Sequence, residues 1–234
     1  MSRAAKGGAA GVLRAPSSLA DQIYDAIVDE ICDGRLAPGT HLVQEGLAER
    51  FGTSRQPIQQ AMGRLKADAM VEEAGRRGLF VMPIDPGRMR DHYGVRAALD
   101  GWAARAAAGR IACDRRLGPS LEQRGRSILE AGRVAVEADD VAGQVRQDAA
   151  FHALVYEASD NPLVAVAAEP HWRYLRRAMG DVLRRAECPD EIWRQHEAIL
   201  NALCRGDAAA ERLAVDHAES AAARLTAVLE GDGP

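Results

Sequence analysis

Residues 44–65 have the sequence QEGLAERFGTSRQPIQQAMGRL, which predicts two short helices joined by a tight turn. Gly52 permits the sharp turn, and Ser54 is a suitable N-cap for the second helix. The inner face of the second helix is defined by apolar residues at helical spacing, namely Ile58, Ala61, Met62 and Leu65. A helix-turn-helix of this kind places its second helix in the major groove of DNA.

A helix upstream and a hairpin downstream extend this unit. Four apolar residues follow the candidate cap Ser18 at helical spacing, namely Leu19, Ile23, Ile27 and Ile31. Downstream, residues 71–73 and 79–82 alternate like two short strands around a basic tip at residues 74–78. We therefore predict a winged helix-turn-helix domain over residues 17–82.

The outer face of the second helix carries polar side chains suited to reading DNA. Arginine can hydrogen-bond to guanine or to a phosphate, and glutamine can form two hydrogen bonds with adenine. The predicted DNA-binding set combines this face with its cap, a further arginine of the helix and the hairpin tip. Its members are Arg55, Gln56, Gln59, Gln60, Ser54, Arg64, Arg76 and Arg77.

Charge is distributed unevenly along the chain. The formal net charge of the 234 residues is −4. Residues 50–90, however, contain eight Lys or Arg and four Asp or Glu, a net charge of +4. Basic residues concentrated in this segment would supply the salt-dependent attraction to phosphates that DNA binding requires. The acidic remainder indicates a different task for the rest of the chain.

Two segments carry a family resemblance. The sequences GRLAPG at residues 34–39 and LAERFGTSRQP at residues 47–57 resemble the N-terminal domain of GntR-family transcription regulators. The resemblance implies a homodimer that binds palindromic double-stranded operator DNA. The family usually has Arg-Glu where this chain has Gln59-Gln60, which predicts a different operator. It prefers glycine where this chain has Ala69, which predicts a different exit from the recognition helix.

Length and composition support two domains. With 47% hydrophobic and 4% aromatic residues, the 234-residue chain can form a sizeable core and favours helices. Nothing resembles an apolar span of about 20 residues or a signal peptide, so we expect a cytoplasmic protein. Residues 1–16 are rich in Ala and Gly and are predicted to be a disordered tail. The cysteines lack Cys-x-x-Cys spacing and are predicted to be free core thiols, namely Cys32, Cys113, Cys188 and Cys204.

After a predicted linker at residues 83–87, the pattern becomes almost entirely helical. Six breaks divide it, at Gly109, Gly118-Pro119, Asp139-Asp140, Asn161-Pro162, Cys188-Pro189 and Gly206. The predicted fold class is therefore mainly α. It comprises the N-terminal winged helix-turn-helix and a C-terminal antiparallel bundle of six or seven helices over residues 88–230.

Three helices of this bundle place polar residues on their apolar faces. Asp148 and His152 are four residues apart, about 40° around a helix, and therefore project together. His196 and His217 lie within apolar stripes of two other helices. Each histidine alone is more often an ordinary core residue. Together, three imidazoles and a carboxylate are a suitable ligand set for a divalent metal, with Zn²⁺ expected first and Ni²⁺ or Mn²⁺ as alternatives.

A second resemblance concerns this bundle. The sequence DAAFH at residues 148–152, SDNPL at residues 159–163, and the later His196 and His217 resemble the FCD domain. This is the helical effector-binding domain of the FadR branch of GntR regulators. In many members an Asp and three His hold a metal inside the bundle. The resemblance thus implies the ligands Asp148, His152, His196 and His217.

Two arginines are candidates for binding an effector. Arg96 shares an apolar stripe with Tyr93, so its guanidinium needs an anionic partner inside the bundle. That partner is either the carboxylate of a small organic acid or an internal acid such as Asp100, and the sequence leaves both open. Arg224 falls near the face of His217 and is the second candidate.

The leading hypothesis is a transcription regulator, expected to be a repressor, whose DNA binding responds to a small carboxylate bound near the metal. One alternative is a DNA-binding protein whose metal is purely structural. A metal-dependent hydrolase is a weaker alternative, because the chain lacks a His-Glu-x-x-His motif and offers no assignable general base beside the ligands. We therefore predict that the protein is not an enzyme.

Overall fold

The computed structural model describes residues 18–32, 34–74, 78–183 and 189–231. Its N-terminal part consists of α1 Leu19–Cys32, β1 His41–Leu42, α2 Gln44–Arg50, α3 Arg55–Ala67, β2 Val71–Glu73 and β3 Leu79–Val81. The strands form an antiparallel sheet in the order β1-β3-β2, with His41 opposite Phe80 and Val71 opposite Val81. The predicted winged helix-turn-helix is thereby confirmed. The predicted tail at residues 1–16 lies outside the described residues.

The predicted cap and apolar stripes account for this domain. Ser18 Oγ accepts a hydrogen bond from the Asp21 backbone N–H at 3.1 Å, and the Asp21 carboxylate accepts one from Ser18 N–H at 3.0 Å. This reciprocal arrangement satisfies backbone donors that the first turn of α1 would otherwise leave free. Ile27 of α1 and Ile58 and Leu65 of α3 are fully buried in one core, whereas Leu19, at the start of the predicted stripe of α1, is 50% exposed.

The different chain path predicted after α3 from the presence of Ala69 is not observed. Ala69 adopts the left-handed conformation, with φ 52°, that glycine normally supplies at this position. Its N–H donates to Lys66 O at 3.0 Å, and Met70 N–H donates to Leu65 O at 2.9 Å. These two bonds form a Schellman motif, which satisfies carbonyls of the last helical turn. The backbone bonds and the burial of Met70 therefore impose the conformation despite the methyl group of Ala69.

The C-terminal part is a helical bundle around its own core. The described residues form α4 Pro86–Cys113, a 3-10 turn Arg115–Leu117, α5 Gly118–Glu137, α6 Val141–Ala158, α7 Pro162–Leu183, α8 Pro189–Arg205 and α9 Ala209–Gly231. Six helices agree with the predicted six or seven. None of the described helices is long and apolar enough to cross a membrane.

Two predicted boundaries of α4 were wrong. Pro86 and Gly87, assigned to the linker, are already helical, because the Asp85 carboxylate accepts from Gly87 N–H at 2.7 Å and caps the helix. The break predicted at Gly109 is also absent. One helical glycine costs about 1 kcal/mol, and the buried Ala107, Ala108 and Ile111 around it pack into the core and offset that cost.

Helix α7 of the bundle contacts the N-terminal domain. Arg177 donates from Nη1 to the backbone oxygen of Met70 at 3.5 Å. Arg173 lies with its Nε 3.7 Å from an Asp68 carboxylate oxygen, directly after α3. The Tyr24 hydroxyl of α1 donates to the same carboxylate. The end of α3 therefore contacts the bundle through charged and polar groups of α7.

Candidate functional site

The structure brings the four predicted metal ligands together. Helix α6 supplies Asp148 and His152, α8 supplies His196 and α9 supplies His217. One potential ligand atom from each residue lies within 4.8 Å of every other. All four side chains are buried, with exposed fractions of 3% or less. Such a cluster inside a hydrophobic core requires mutual satisfaction or a bound ion.

The donor atoms face a common point. Asp148 Oδ1 lies 3.2 Å from His196 Nε2 and 4.0 Å from His152 Nε2. His196 Nε2 lies 3.1 Å from His217 Nε2. Each imidazole thus presents the same ring nitrogen, and the carboxylate presents one oxygen. This convergence is the arrangement that a divalent cation with nitrogen and oxygen ligands requires.

The outward-facing ring nitrogens explain this orientation. His152 Nδ1 lies 3.2 Å from Asp100 Oδ2, and His217 Nδ1 lies 2.9 Å from Gln195 Oε1. Both oxygens are acceptors, so each holds the proton on Nδ1 and leaves the Nε2 lone pair directed inward. Partners of this kind orient metal-binding histidines in proteins. Phe151, whose ring centroid is 4.4 Å from that of His196, packs against the third imidazole.

The protonation states also suit a cation. Burial lowers the pKa of His196 and lowers that of His217 further below its usual range, where the neighbouring imidazoles add to the effect. Both rings are therefore neutral at pH 7 and can donate lone pairs. Burial opposes ionisation of Asp148, but the hydrogen bond with His196 and the charges around it hold the pKa of Asp148 well below its usual range. Metal ligands must be deprotonated in this way.

Two buried atoms of the cluster, Asp148 Oδ2 and His196 Nδ1, have no hydrogen-bond partner among the described residues. Asp148 Oδ2 makes no hydrogen bond to the described residues, although Oδ1 faces the imidazoles. A buried carboxylate oxygen without a partner is costly. The residues present therefore fit a metal ion, which would supply charge compensation for this carboxylate.

Arg96 forms the internal ion pair that the sequence left as one option. Its Nε lies 3.0 Å from Asp100 Oδ2, and its guanidinium lies 4.1 Å from the Trp172 ring centroid. Its Nη2 hydrogen-bonds to His152 Nε2, the nitrogen that faces the cluster. Tyr156 also donates to Asp100. Arg96 is therefore held at the edge of the cluster, and a cation on His152 Nε2 would compete for the lone pair that it uses.

A cavity of about 430 Å³ adjoins the cluster. Asp148, His217, Arg96 and Arg224 all line it, so it is bordered by two of the four predicted metal ligands and by both predicted effector residues. Arg224 Nη2 is buried and has no hydrogen-bond partner among the described residues, and the same is true of the Tyr93 hydroxyl. Unpaired buried donors beside a cavity point to a ligand with acceptor atoms.

The recognition helix presents most of its predicted DNA-binding residues. Arg55, Gln56, Gln59 and Gln60 are exposed on α3, opposite its buried face. Arg55 pairs with Glu45 at 3.2 Å, but both side chains are more than half exposed. Ser54 occupies the predicted N-cap position, although its side chain makes no capping hydrogen bond among the described residues.

The remaining predicted DNA contacts differ in their placement. Arg64 pairs with Asp21 and stacks 4.1 Å from the Tyr24 ring centroid, so it holds α3 against α1 instead of facing outward with Arg55. Its predicted contact with DNA stays a prediction, since the side chain is still 40% exposed. Arg76 and Arg77 lie outside the described residues.

The cysteine prediction was correct for bonding and partly wrong for burial. Cys32, Cys113 and Cys204 form no disulfide among the described residues, but Cys113 is exposed at the end of α4 and the other two are only partly buried. Cys188 lies outside the described ranges. Apolar spacing on a helix does not place residues at its end, where the bundle no longer covers them.

Comparison with known proteins agrees with both domains. Residues 91–227 match the FCD domain family, and residues 19–81 match the bacterial regulatory proteins of the gntR family. The chain is 28% identical over 197 residues to the HTH-type transcriptional repressor RspR of Escherichia coli K12, covering 84% of each chain. It is also 28% identical over 220 residues to a probable D-xylose utilization operon transcriptional repressor of Paenarthrobacter nicotinovorans, covering 93% of this chain and 92% of the relative.

Solved structures share the fold. A putative GntR transcriptional regulator from Rhodococcus sp. RHA1 superposes with a TM-score of 0.75 at 19% identity, covering 93% of this chain and all of the other. E. coli McbR/YncC gives a TM-score of 0.75 at 20% identity, covering 90% of this chain and 98% of the other. Together with the matched domains, the exposed α3 and the buried helical bundle, these comparisons show that the chain belongs to the GntR family of transcription regulators, with an FCD effector-binding domain, and is not an enzyme.

Proposed function

We propose that this protein is a homodimeric repressor whose hold on a palindromic operator is released when a small carboxylate binds beside a metal in the FCD domain. The two relatives named as repressors support this direction of regulation. The main support for this proposal is the convergence of three Nε2 atoms and Asp148 Oδ1 beside a cavity. A regulator of this kind acts in the cytoplasm, where bacterial DNA lies.

In the proposed complex, α3 lies in the major groove. Arg55 and the three exposed glutamines read base edges or phosphates, while Ser54 and the hairpin arginines Arg76 and Arg77 contact the backbone. A two-fold dimer places two such helices on successive major-groove faces, so a palindromic site follows from the symmetry. Arg64 keeps its intramolecular role against α1.

In the bundle, Asp148, His152, His196 and His217 hold a divalent cation, with Zn²⁺ expected before Ni²⁺ or Mn²⁺. The ion supplies positive charge that attracts a carboxylate. Arg96 and Arg224 receive the same carboxylate from the cavity side. His152 would hold the cation through Nε2, the atom that now accepts from Arg96 Nη2, so that in the metal-loaded protein this Nη2 group would be available to the effector.

Helix α7 provides a physical route from the cavity to the DNA. Met179 and Val182 line the cavity, and Arg173 and Arg177 on the same helix contact the end of α3. A displacement of α7 by the effector would therefore move the recognition helix relative to its dimer partner. A coupling of about 1 to 3 kcal/mol changes operator affinity by roughly 5- to 150-fold.

A purely structural metal is a less favoured role. It would not explain a cavity that is lined by two of the predicted ligands and by Arg224, whose Nη2 has no hydrogen-bond partner among the described residues. Buried donors without partners lower stability, so a structural site alone would not account for their retention beside an open cavity.

Metal analysis of three proteins tests the cluster. We expect about one equivalent of divalent metal in the wild-type protein and a strongly reduced content in His196→Ala. The matched control His41→Ala removes a histidine of β1 outside the cluster and should retain the metal. Equal metal content in wild type and His196→Ala, or none in the wild type after reconstitution, would contradict the proposed centre.

A further inference from the structure

The cavity beside the cluster has two chemically different parts. Its polar groups belong to the cluster and its surroundings, namely Tyr93, Arg96, Asp148, His217 and Arg224. The other walls are apolar and come from the last turns of α7, the start of α8 and the end of α9. Along α9 the lining runs from His217 to Val228, eleven residues or about 16 Å of helix. The cavity therefore continues well beyond its polar end.

The polar end lacks one anionic acceptor. Arg224 Nη2 and the Tyr93 hydroxyl are both buried donors that have no hydrogen-bond partner among the described residues. Arg96, in contrast, is already paired with Asp100. Arg224 lies seven residues after His217 on α9, and both side chains line the cavity. One carboxylate placed between Arg224 and the cluster would give both donors an acceptor.

The apolar walls disfavour a hydroxylated ligand. Met179, Val182 and Ile192 offer no hydrogen-bonding side-chain groups, apart from the weak acceptor sulfur of methionine. A sugar hydroxyl placed against them would lose its water without gaining a partner, whereas a methylene or aromatic ring would gain from burial. The shape and chemistry of the walls thus select the body of the ligand, and the polar end selects its head.

We propose that the effector is a monocarboxylate with an aliphatic or aromatic body, bound with its head toward Arg224 and the histidine cluster and its body against Val182 and Ile192. Hydroxylated sugar acids are excluded as preferred ligands. This inference rests on the proposed function, because it takes the cavity to be the effector site. It specifies the chemical class of ligand that the site recognises.

Titration calorimetry of the metal-loaded full chain tests the class directly. The probes are hexanoate, phenylacetate, gluconate and hexanamide. We expect hexanoate or phenylacetate to bind at least about tenfold more tightly than gluconate, a difference of about 1.4 kcal/mol. Hexanamide keeps the body but lacks the charge, so it should bind at least about tenfold more weakly than hexanoate.

Variants locate the site. Val182→Thr adds a hydroxyl to the wall at nearly constant shape and should reduce the preference for the apolar acid over gluconate. Val164→Thr makes the same change in α7 at a buried position outside the cavity lining, and should leave the preference unchanged. Arg224→Gln should weaken both acids while leaving the metal content intact. Thermal unfolding of each variant verifies that it is folded before its affinity is compared.

The outcomes distinguish an error in the inferred ligand class from failure of the proposed function. If gluconate binds as tightly as both apolar acids and releases DNA, the inferred ligand class is wrong although the proposed function stands. If hexanamide matches hexanoate, the carboxylate head is wrong. If no acid of either class binds or alters DNA affinity, the cavity is not a carboxylate effector site and the proposed function fails with the inference.

Discussion

Arg173 of α7 and Asp68 at the end of α3 form an ion pair across the two domains, with Nε 3.7 Å from the carboxylate oxygen. The distance is too long for a hydrogen bond, so the contact is electrostatic and permits some displacement. The side chain of Arg173 is only 17% exposed, which limits screening by solvent. The bundle thereby contacts the residue that follows the recognition helix, two turns of α7 from the cavity-lining Met179.

Replacing Arg173 should uncouple the two domains. We expect Arg173→Ala to bind metal and carboxylate with nearly unchanged affinity, but to lose most of the acid-induced change in DNA affinity. Fluorescence anisotropy with an operator selected in vitro from random duplexes measures both affinities. Arg124→Ala is the matched control, because it removes an interhelical ion pair between α5 and α6 that includes no residue of α7. An undiminished acid response in Arg173→Ala would rule out this route.

Ala69→Gly should stabilise the protein. Glycine accepts the left-handed conformation at position 69 without the clash of a methyl group. We expect the free energy of unfolding to rise by about 1 kcal/mol, as measured by denaturant titration. Ala67→Gly, two residues earlier in helical conformation, should lower it by a similar amount. Destabilisation by both substitutions would show that the αL conformation at position 69 is not strained.

Arg55→Ala and Arg64→Ala should have different effects. Arg55 faces outward, so its loss should weaken DNA binding and reduce the slope of log affinity against log salt by about one if it contacts a phosphate. Thermal stability should remain unchanged, because its pairing with Glu45 is largely exposed. Arg64→Ala should instead lower stability by removing its packing on Tyr24. Equal loss of DNA affinity without loss of stability in Arg64→Ala would contradict its intramolecular assignment.

The pair His92 and His171 should make stability depend on pH. Their Nδ1 atoms lie 2.9 Å apart between α4 and α7, and the His92 ring stacks on Tyr174. Burial lowers the pKa of both, and repulsion between them lowers that of His92 further. The unfolded chain therefore binds more protons than the folded chain below about pH 6.5. Stability should fall as the pH drops from about 6.5 toward the lower folded pKa values.

Denaturant titrations at several pH values test this dependence. His171→Asn keeps an amide near the position of Nδ1 but cannot be protonated, so the unfolding free energy should change less steeply between about pH 7 and pH 5. Wild type and variant are compared in the same metal-free state, so that metal release does not differ between them. An identical slope for the two proteins would exclude this pair as a source of the dependence.

The sequence revealed those site residues whose signal is local. Asp148 and His152 are four apart on an apolar face, and that spacing alone places them together. Gln195, which holds His217 Nδ1, had no comparable signal because its role depends on how α8 meets α9. The sequence places Tyr93 one turn before Arg96 on the same stripe. Only the structure shows that the Tyr93 hydroxyl has no hydrogen-bond partner among the described residues.

The difference between local signals and contacts between elements also explains what the sequence pattern did not show. A helix-wheel position could not show that Arg64 meets Asp21 and Tyr24, because those residues belong to another helix. Local propensity predicts a break at Gly109 because it carries no information about the burial of the neighbouring residues. Ala69 was expected to alter the chain path, whereas backbone hydrogen bonds of the turn impose the same left-handed conformation.

In the proposed function, metal and carboxylate together control DNA binding. The most direct measurement is the anisotropy of labelled operator DNA with increasing hexanoate or phenylacetate, using metal-loaded protein, chelator-treated protein and His196→Ala. We predict that the acid releases DNA from the metal-loaded wild type, with affinity falling by at least about fivefold. The two metal-depleted proteins should remain bound at the same acid concentration. Equal release from all three would show that the acid acts without the cluster, and would contradict the account.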